Sequence, residues 1–353
     1  MTGASLDLPR SGSRDGSGSQ AELAATLAFL RRVLHPDRVI ETHAAFVLLA
    51  GHRAYKLKKP VNLGAFDHRS LAAREAACRE ELRLNRELAG RSVYLGLLPV
   101  TSPGGSVLQL GGSGRLVDWL VVMRRLPAQR MLDAVLATGG HPTAEEIAAL
   151  ADVLIRFYGR QGPRTGTAGP YLAHLRRETE TNRAALLHHR SALPGAALDR
   201  LTAAAAELVE AAAPAIAARA AAGLILEGHG DLRPEHVCLT HPPTIFDRVE
   251  FSPALRVIDI GDEVNTLALE CRLLGAPEIG PAIADRLAAA GFAPLTCPLW
   301  RCYTVFRCLT RARLCIKHLD EKPPRSPETW PPRAMTYLAE ADRVLTAPCQ
   351  PGA

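Results

Sequence analysis

Residues 227–239 read Glu-Gly-His-Gly-Asp-Leu-Arg-Pro-Glu-His-Val-Cys-Leu and lie in a short strand-rich island, 224–257, between stretches of helical periodicity. Gly228, Gly230 and Pro234 mark a turn that presents Asp231, Arg233 and His236 in one loop. Downstream, 237–240 and 244–249 are apolar runs joined by His241-Pro242-Pro243, the pattern of a hairpin. Such a hairpin returns Asp247, 16 residues after Asp231, to the side of the loop, with Glu250 close behind. Asp259 lies 28 residues from Asp231 and no comparable hairpin delivers it. Asp262 and Glu263 lead into an apolar helical run, so Asp262 reads as an N-cap. His229, His236, Cys238 and His241 match no strong zinc-ligand spacing.

Outward from this island, the first half of the chain alternates strand and helix patterns. A helix is expected at 23–34, strands at 39–42, 45–50 and 54–61, and a long charged helix from about 70 to 88. Two more strands follow, 94–100 and 116–123, separated by a Gly-rich loop at 104–114. Period-2 alternation in the third strand puts Lys56 and Lys58 on one face and Tyr55 and Leu57 on the other. On the charged helix, Glu81, Leu84, Asn85 and Leu88 share a face, so Glu81 is the acid set to point inward. After Met123 helical patterns dominate, at 143–159, 171–188, 196–222, 262–274, 281–290 and 298–319. A sheet-rich first half followed by a mostly helical second half defines an α+β chain with two lobes.

Composition narrows the function classes. Nearly half of the 353 residues are apolar, enough for a sizeable core. The net charge of +6 comes from scattered basic residues, and aromatic residues are few, which argues against a nucleic-acid partner. The apolar stretch 203–222 is interrupted by Glu207, Glu210 and Arg219 and reads as a helix of a folded core, so no membrane partner is expected. Residues 1–20 lack an apolar signal region and read as a disordered tail, and a cytoplasmic location follows. The eight cysteines form no CxxC pair and are expected as reduced thiols.

Four strings in order, 41–67 (ETHAAFVLLAGHRAYKLKKPVNLGAFD), 81–100 (ELRLNRELAGRSVYLGLLPV), 123–133 (MRRLPAQRMLD) and 228–239 (GHGDLRPEHVCL), resemble the aminoglycoside-phosphotransferase-like family of the protein-kinase-like superfamily. The resemblance covers roughly 21–320 and is closest to a bacterial branch often fused to a C-terminal P-loop ATPase domain; no GxxxxGK[ST] occurs in these 353 residues. It implies a bilobal fold: a disordered tail at 1–20, an N-lobe at 21–125 with an antiparallel sheet and one helix, a larger helical C-lobe at 126–345 with the catalytic loop and substrate site, and a tail at 346–353.

The implied function is ATP-dependent transfer of the γ-phosphate to a hydroxyl of a small polar metabolite or aminoglycoside-like compound, with Mg²⁺, or Mn²⁺, as the metal. In that scheme Asp231 orients or deprotonates the hydroxyl and Arg233 contacts the transferred group. Lys56, with Lys58 as the fallback, binds the nucleotide phosphates and is braced by Glu81. The connector at Met123, Arg124 and Arg125 offers backbone groups to adenine. The metal falls to His236, Asp247 and Glu250. The family usually has Asn where this chain has His236, so His236 is either a ligand or a structural residue. Asp259 matches the family string more closely by letter, yet the hairpin favours Asp247. Arg307, Arg311 and Arg313 on the last long helix are candidates to meet an anionic substrate. A nucleotide-binding pseudokinase with a regulatory role is the rival reading, and oligomeric state is left open.

Overall fold

The computed structural model describes residues 15–64, 66–162, 164–321, 324 and 326–348. The chain forms two compact units that divide after Arg125. The first contains α1 (Asp15–Leu34), β1 (Arg38–Glu41), β2 (Ala45–Ala50), β3 (Arg53–Lys58), α2 (Leu71–Leu88), β4 (Tyr94–Gly104), β5 (Val107–Leu110) and β6 (Arg115–Arg124). Its strands form one antiparallel sheet in the order β1-β2-β3-β6-β4-β5.

Two differences from the sequence reading are local. α1 starts at Asp15, inside the stretch read as a tail. β5 occupies part of the expected Gly-rich loop, where the alternating Val107-Leu108-Gln109-Leu110 pairs back onto β4.

Period-2 alternation gives the sheet two unlike faces. Leu48, Tyr55, Leu57, Val100, Leu120 and Val122 pack with Phe29 and Leu30 of α1. Lys56 and Lys58 project from the opposite face toward α2. Ser70 caps α2 by accepting the Ala73 amide, and Cys78, Glu81, Leu84 and Asn85 form its buried stripe. Arg74 fastens α2 to β6, its Nε lying 3.0 Å from both carboxylate oxygens of Asp118 in the interior.

The second unit contains α3 (Leu132–Ala137), α4 (Ala144–Arg160), α5 (Ala168–His188), α6 (Gly195–Ala221), β7 (Ile225–Glu227), β8 (Val237–Cys238), β9 (Thr244–Ile245), α7 (Pro253–Arg256), β10 (Val257–Asp259), α8 (Ile260–Leu273), α9 (Ile279–Ala289), α10 (Cys297–Ile316) and α11 (Trp330–Thr346). α10 runs through its centre. One side packs Val305, Leu309 and Ala312 with Leu198, Leu201, Leu338 and Ala341. The other packs Tyr303 and Phe306 with Val209, Ile216 and Ile258. α6 is long and apolar enough to cross a membrane by length and composition alone. It places Leu198, Leu201, Ala205, Val209 and Ile216 in these cores.

α3, α7 and α11 lie outside the helical runs expected from sequence. Pro331 and Pro332 fall in the first turn of α11, where the missing amide and fixed φ cost little. Cys78, Cys238, Cys271, Cys302, Cys308 and Cys315 are free and buried, as expected, whereas Cys297 is disulfide-bonded. Spacing along the chain could not show that, because disulfide partners are set by proximity in the fold.

Arg74→Ala strands the Asp118 carboxylate in the interior, with an expected loss of about 3–5 kcal/mol in the first unit. Urea unfolding followed by fluorescence of the adjacent Trp119 measures it.

Candidate active site

The loop after β7 is shaped by its glycines. A Cβ on Gly228 would stand 2.6 Å from Glu263 Oε2, and Gly230 holds φ of +89°, so neither position tolerates a larger residue without movement. Glu263, on the first turn of α8, is the residue that fixes the loop. Its Oε1 accepts the Gly230 amide at 2.7 Å and its Oε2 accepts the Tyr158 hydroxyl at 2.7 Å. Burial pushes the Glu263 carboxyl upward, against the pull of the Gly230 and His229 amides. No spacing rule pointed to Glu263; its only sequence sign was an acid within an apolar helical run.

His229 is the second brace. Its Nε2 donates to the Phe246 carbonyl at 2.8 Å, and its Nδ1 accepts the Asp231 amide at 3.2 Å. This pattern requires the neutral ring with the proton on Nε2. Burial, helped by the neighbouring His236, lowers its pKa to about 4.

These braces present Asp231 with 39 % of its side chain exposed. Burial works to raise its pKa, but Arg233, with His236, Arg311 and His229, outweighs burial and holds the carboxyl below its ordinary value. Arg233 lies between two acids, with Nε 3.0 Å from Asp231 Oδ1 and Nη1 2.6 Å from Glu235 Oε1.

His236 follows on a 3-10 turn opened by Pro234. Its Nδ1 lies 2.7 Å from the Asp231 carbonyl and 3.8 Å from Asp231 Oδ2, while Nε2 lies 3.8 Å from Asp247 Oδ2. The expected hairpin is present as β8 and β9, short strands whose Phe246 amide returns to the His236 carbonyl at 3.0 Å. It brings Asp247 to the far side of the imidazole, in the left-handed region at φ +62°. Aspartate tolerates that conformation better than most residues, and its cost is characteristic of functional positions. Glu250 is tied through its carbonyl to Arg256 Nη1 at 3.2 Å.

Asp259 has a different occupation. It is fully buried, caps α8 by accepting the Gly261 amide, and meets Arg219 through both oxygens and the Tyr303 hydroxyl at 3.0 Å. The N-cap is therefore Asp259, not Asp262, which lies inside the helix and holds Arg307 at 2.5 Å and the Tyr171 hydroxyl at 2.6 Å. The other α10 arginines are also engaged: Arg311 with Glu270 and Arg313 with Glu178, each at 2.6 Å. All three are paired with carboxylates on α5 and α8. Of the histidine and cysteine set weighed for zinc, His229 has both nitrogens committed, and burial pushes the Cys238 thiol to about 11.

In the first unit, Glu81 is fully buried and receives two cations. Lys56 Nζ lies 2.9 Å from Oε1 and Lys58 Nζ lies 2.7 Å from Oε2. Lys58 is 2 % exposed and Lys56 15 %, so Lys56 is the more accessible of the two. At the end of β6, Met123 is buried in the sheet beside Ala54 and Tyr94. The Arg124 and Arg125 amides are taken by the carbonyls of Val93 and His52, and the Arg125 side chain pairs with Asp37.

No family model matches the chain. Among curated proteins, "Uncharacterized protein Rv2004c" of Mycobacterium tuberculosis and "Uncharacterized protein Mb2027c" of Mycobacterium bovis are each 33% identical to it over 290 residues, 81% of this chain. The chain spans only 56% of the length of these relatives. Among solved structures, a choline/ethanolamine kinase family protein from Mesorhizobium loti aligns over 94% of this chain and 96% of its own, at TM-score 0.52 and 16% identity. A spectinomycin phosphotransferase solved with ADP and spectinomycin aligns over 93% of this chain and 95% of its own, at TM-score 0.47 and 12% identity. The chain belongs with these mycobacterial relatives, and its α+β fold is that of the choline/ethanolamine kinase family protein.

Two outcomes are expected from this geometry. Asp259→Ala leaves Arg219 buried without its anion and destabilises the second unit by about 3–5 kcal/mol, well beyond the effect of Asp247→Ala, as measured by urea unfolding. His229 is neutral when folded and protonates near pH 6.5 when unfolded. Its contribution is complete above pH 6.5 and is lost as pH falls toward 4, where about 3 kcal/mol is gone. A pH series of urea midpoints, compared with His229→Gln, measures that loss.

Proposed function

We propose that the protein is an ATP-dependent phosphotransferase that moves the γ-phosphate to a hydroxyl group of a small polar metabolite or aminoglycoside-like compound. One observation carries this reading: Asp231 and Asp247 face opposite nitrogens of one buried imidazole, each at 3.8 Å, on a loop strapped down from beneath. Phosphoryl transfer asks for one carboxylate at the attacking hydroxyl and a second at the metal that neutralises the phosphates, held apart by a rigid spacer. The fold shared with a choline/ethanolamine kinase family protein supports the same reading.

Each residue then has a defined task. Asp231, ionised and accessible, accepts the hydroxyl proton or holds the hydroxyl in line. Arg233 offers its remaining N–H groups to the transferred phosphoryl oxygens. Asp247 and His236 are the metal-holding pair, with Glu250 as a further acid on the same strand exit. A bound Mg²⁺ or Mn²⁺ supplies charge neutralisation at the nucleotide phosphates. In the first unit Lys56 is the phosphate-binding cation, while buried Lys58 keeps Glu81 in place. Met123, Arg124 and Arg125 offer carbonyls to the base, the amides of the two arginines being already engaged. A small-molecule acceptor in the cytoplasm suffices for this scheme, with no nucleic-acid or membrane partner.

The test is nucleotide-dependent thermal shift together with hydrolysis of ATP and GTP in the presence of Mg²⁺ or Mn²⁺. Asp231→Ala is expected to keep the nucleotide-induced shift and lose about 10²–10⁴-fold in turnover. Lys56→Met is expected to lose the shift itself. Binding without turnover in the unmodified protein would identify a pseudokinase, and no nucleotide binding at all would overturn the proposal.

A further inference from the structure

Resting on the reading of Asp247 as the metal-holding acid, we infer that His236 is itself a ligand and sets the ion preference of the site. The preferred ion is a divalent transition-metal cation that accepts a nitrogen donor more readily than Mg²⁺ does, from Mn²⁺ to later ones such as Co²⁺ or Zn²⁺.

The first support is the tautomer. Nδ1 of His236 lies 2.7 Å from the Asp231 carbonyl, an acceptor that can only receive a proton. In the neutral ring the lone pair therefore sits on Nε2, the nitrogen that faces Asp247 Oδ2. A backbone carbonyl on the far nitrogen is how proteins ordinarily orient a metal-binding imidazole. The ring is also held in place, stacked on His229 at 5.6 Å between centroids and edge-on to Phe246 at 6.1 Å. Only 11 % of the side chain is exposed, so the donor atom does not swing freely into solvent.

The second support is donor chemistry with spacing. Mg²⁺ favours oxygen ligands and near-ideal octahedral geometry, in which adjacent donors at about 2.1 Å stand about 3.0 Å apart. The observed nitrogen–oxygen separation is 3.8 Å. Two bonds of about 2.1 Å reach at most about 4.2 Å, so one ion could touch both donors. Imidazole suits later transition metals, and affinity for a nitrogen donor rises along the series from Mn²⁺. A side-chain amide in this position would offer an oxygen instead. The histidine thus shifts selectivity away from Mg²⁺.

The experiment is pulsed EPR of Mn²⁺ bound to the full-length protein, with and without ADP, using protein carrying [¹⁵N]histidine so that a signal from adenine nitrogen is distinguishable. A histidine-nitrogen coupling in the unmodified protein, lost in His236→Asn, is the expected result. Calorimetric affinities for Mn²⁺ and Mg²⁺ should agree. The ratio Kd(Mg²⁺)/Kd(Mn²⁺) is expected to fall roughly tenfold or more in His236→Asn. The spectrum of the unmodified protein stands whether or not the variant folds. Bound Mn²⁺ with no histidine coupling, or no Mn²⁺ bound in either condition, overturns the inference. If ADP still binds in those cases, the phosphotransferase reading survives; if ADP binding is also absent, both fall together.

Discussion

A buried carboxylate, Glu263, is the constraint on which the second unit's chemistry depends. An isolated anion in the interior would be expensive, and the cost is offset by the amides of the loop it carries and by the Tyr158 hydroxyl. The dependence runs both ways. The loop amides need an acceptor that no strand supplies, and the carboxylate needs donors that no solvent supplies. Gly228 and Gly230 let the backbone approach closely enough for both needs to be met.

Above that anchor, the two histidines divide the work of shaping the loop. His229 links Asp231 and Phe246 through backbone groups and so fixes the distance across the hairpin. His236 uses one nitrogen for the loop and turns the other toward Asp247. Because each ring has a donor and an acceptor side, the hydrogen-bond partners choose the tautomer, and the tautomer chooses which nitrogen can meet a cation. The two half-exposed aspartates, Asp231 and Asp247, are held by groups that are themselves largely buried.

The first unit solves a similar problem with opposite charges. Two lysines converge on one buried carboxylate, and Lys56 is the more accessible of the two. The Arg74–Asp118 pair anchors the same helix further toward its N-terminus, so the position of Glu81 is set by packing and by buried charge together.

Sequence alone determined the elements and the chemistry-bearing positions that depend on local pattern. Alternation put Lys56 and Lys58 on one face of a strand, helical spacing turned Glu81 inward, and the His241-Pro242-Pro243 turn returned Asp247 to the loop, because each follows from a fixed backbone period. Tertiary structure decided which acid serves which purpose. The turn marks Asp247, but what occupies Asp259 is set by the fold: Arg219, 40 residues away in the chain, takes it into the core. The same holds for Glu263 and for the arginines of α10 paired with carboxylates on α5 and α8. Buried charges are satisfied by whatever the fold brings near, and that proximity is not written in any one segment of the chain.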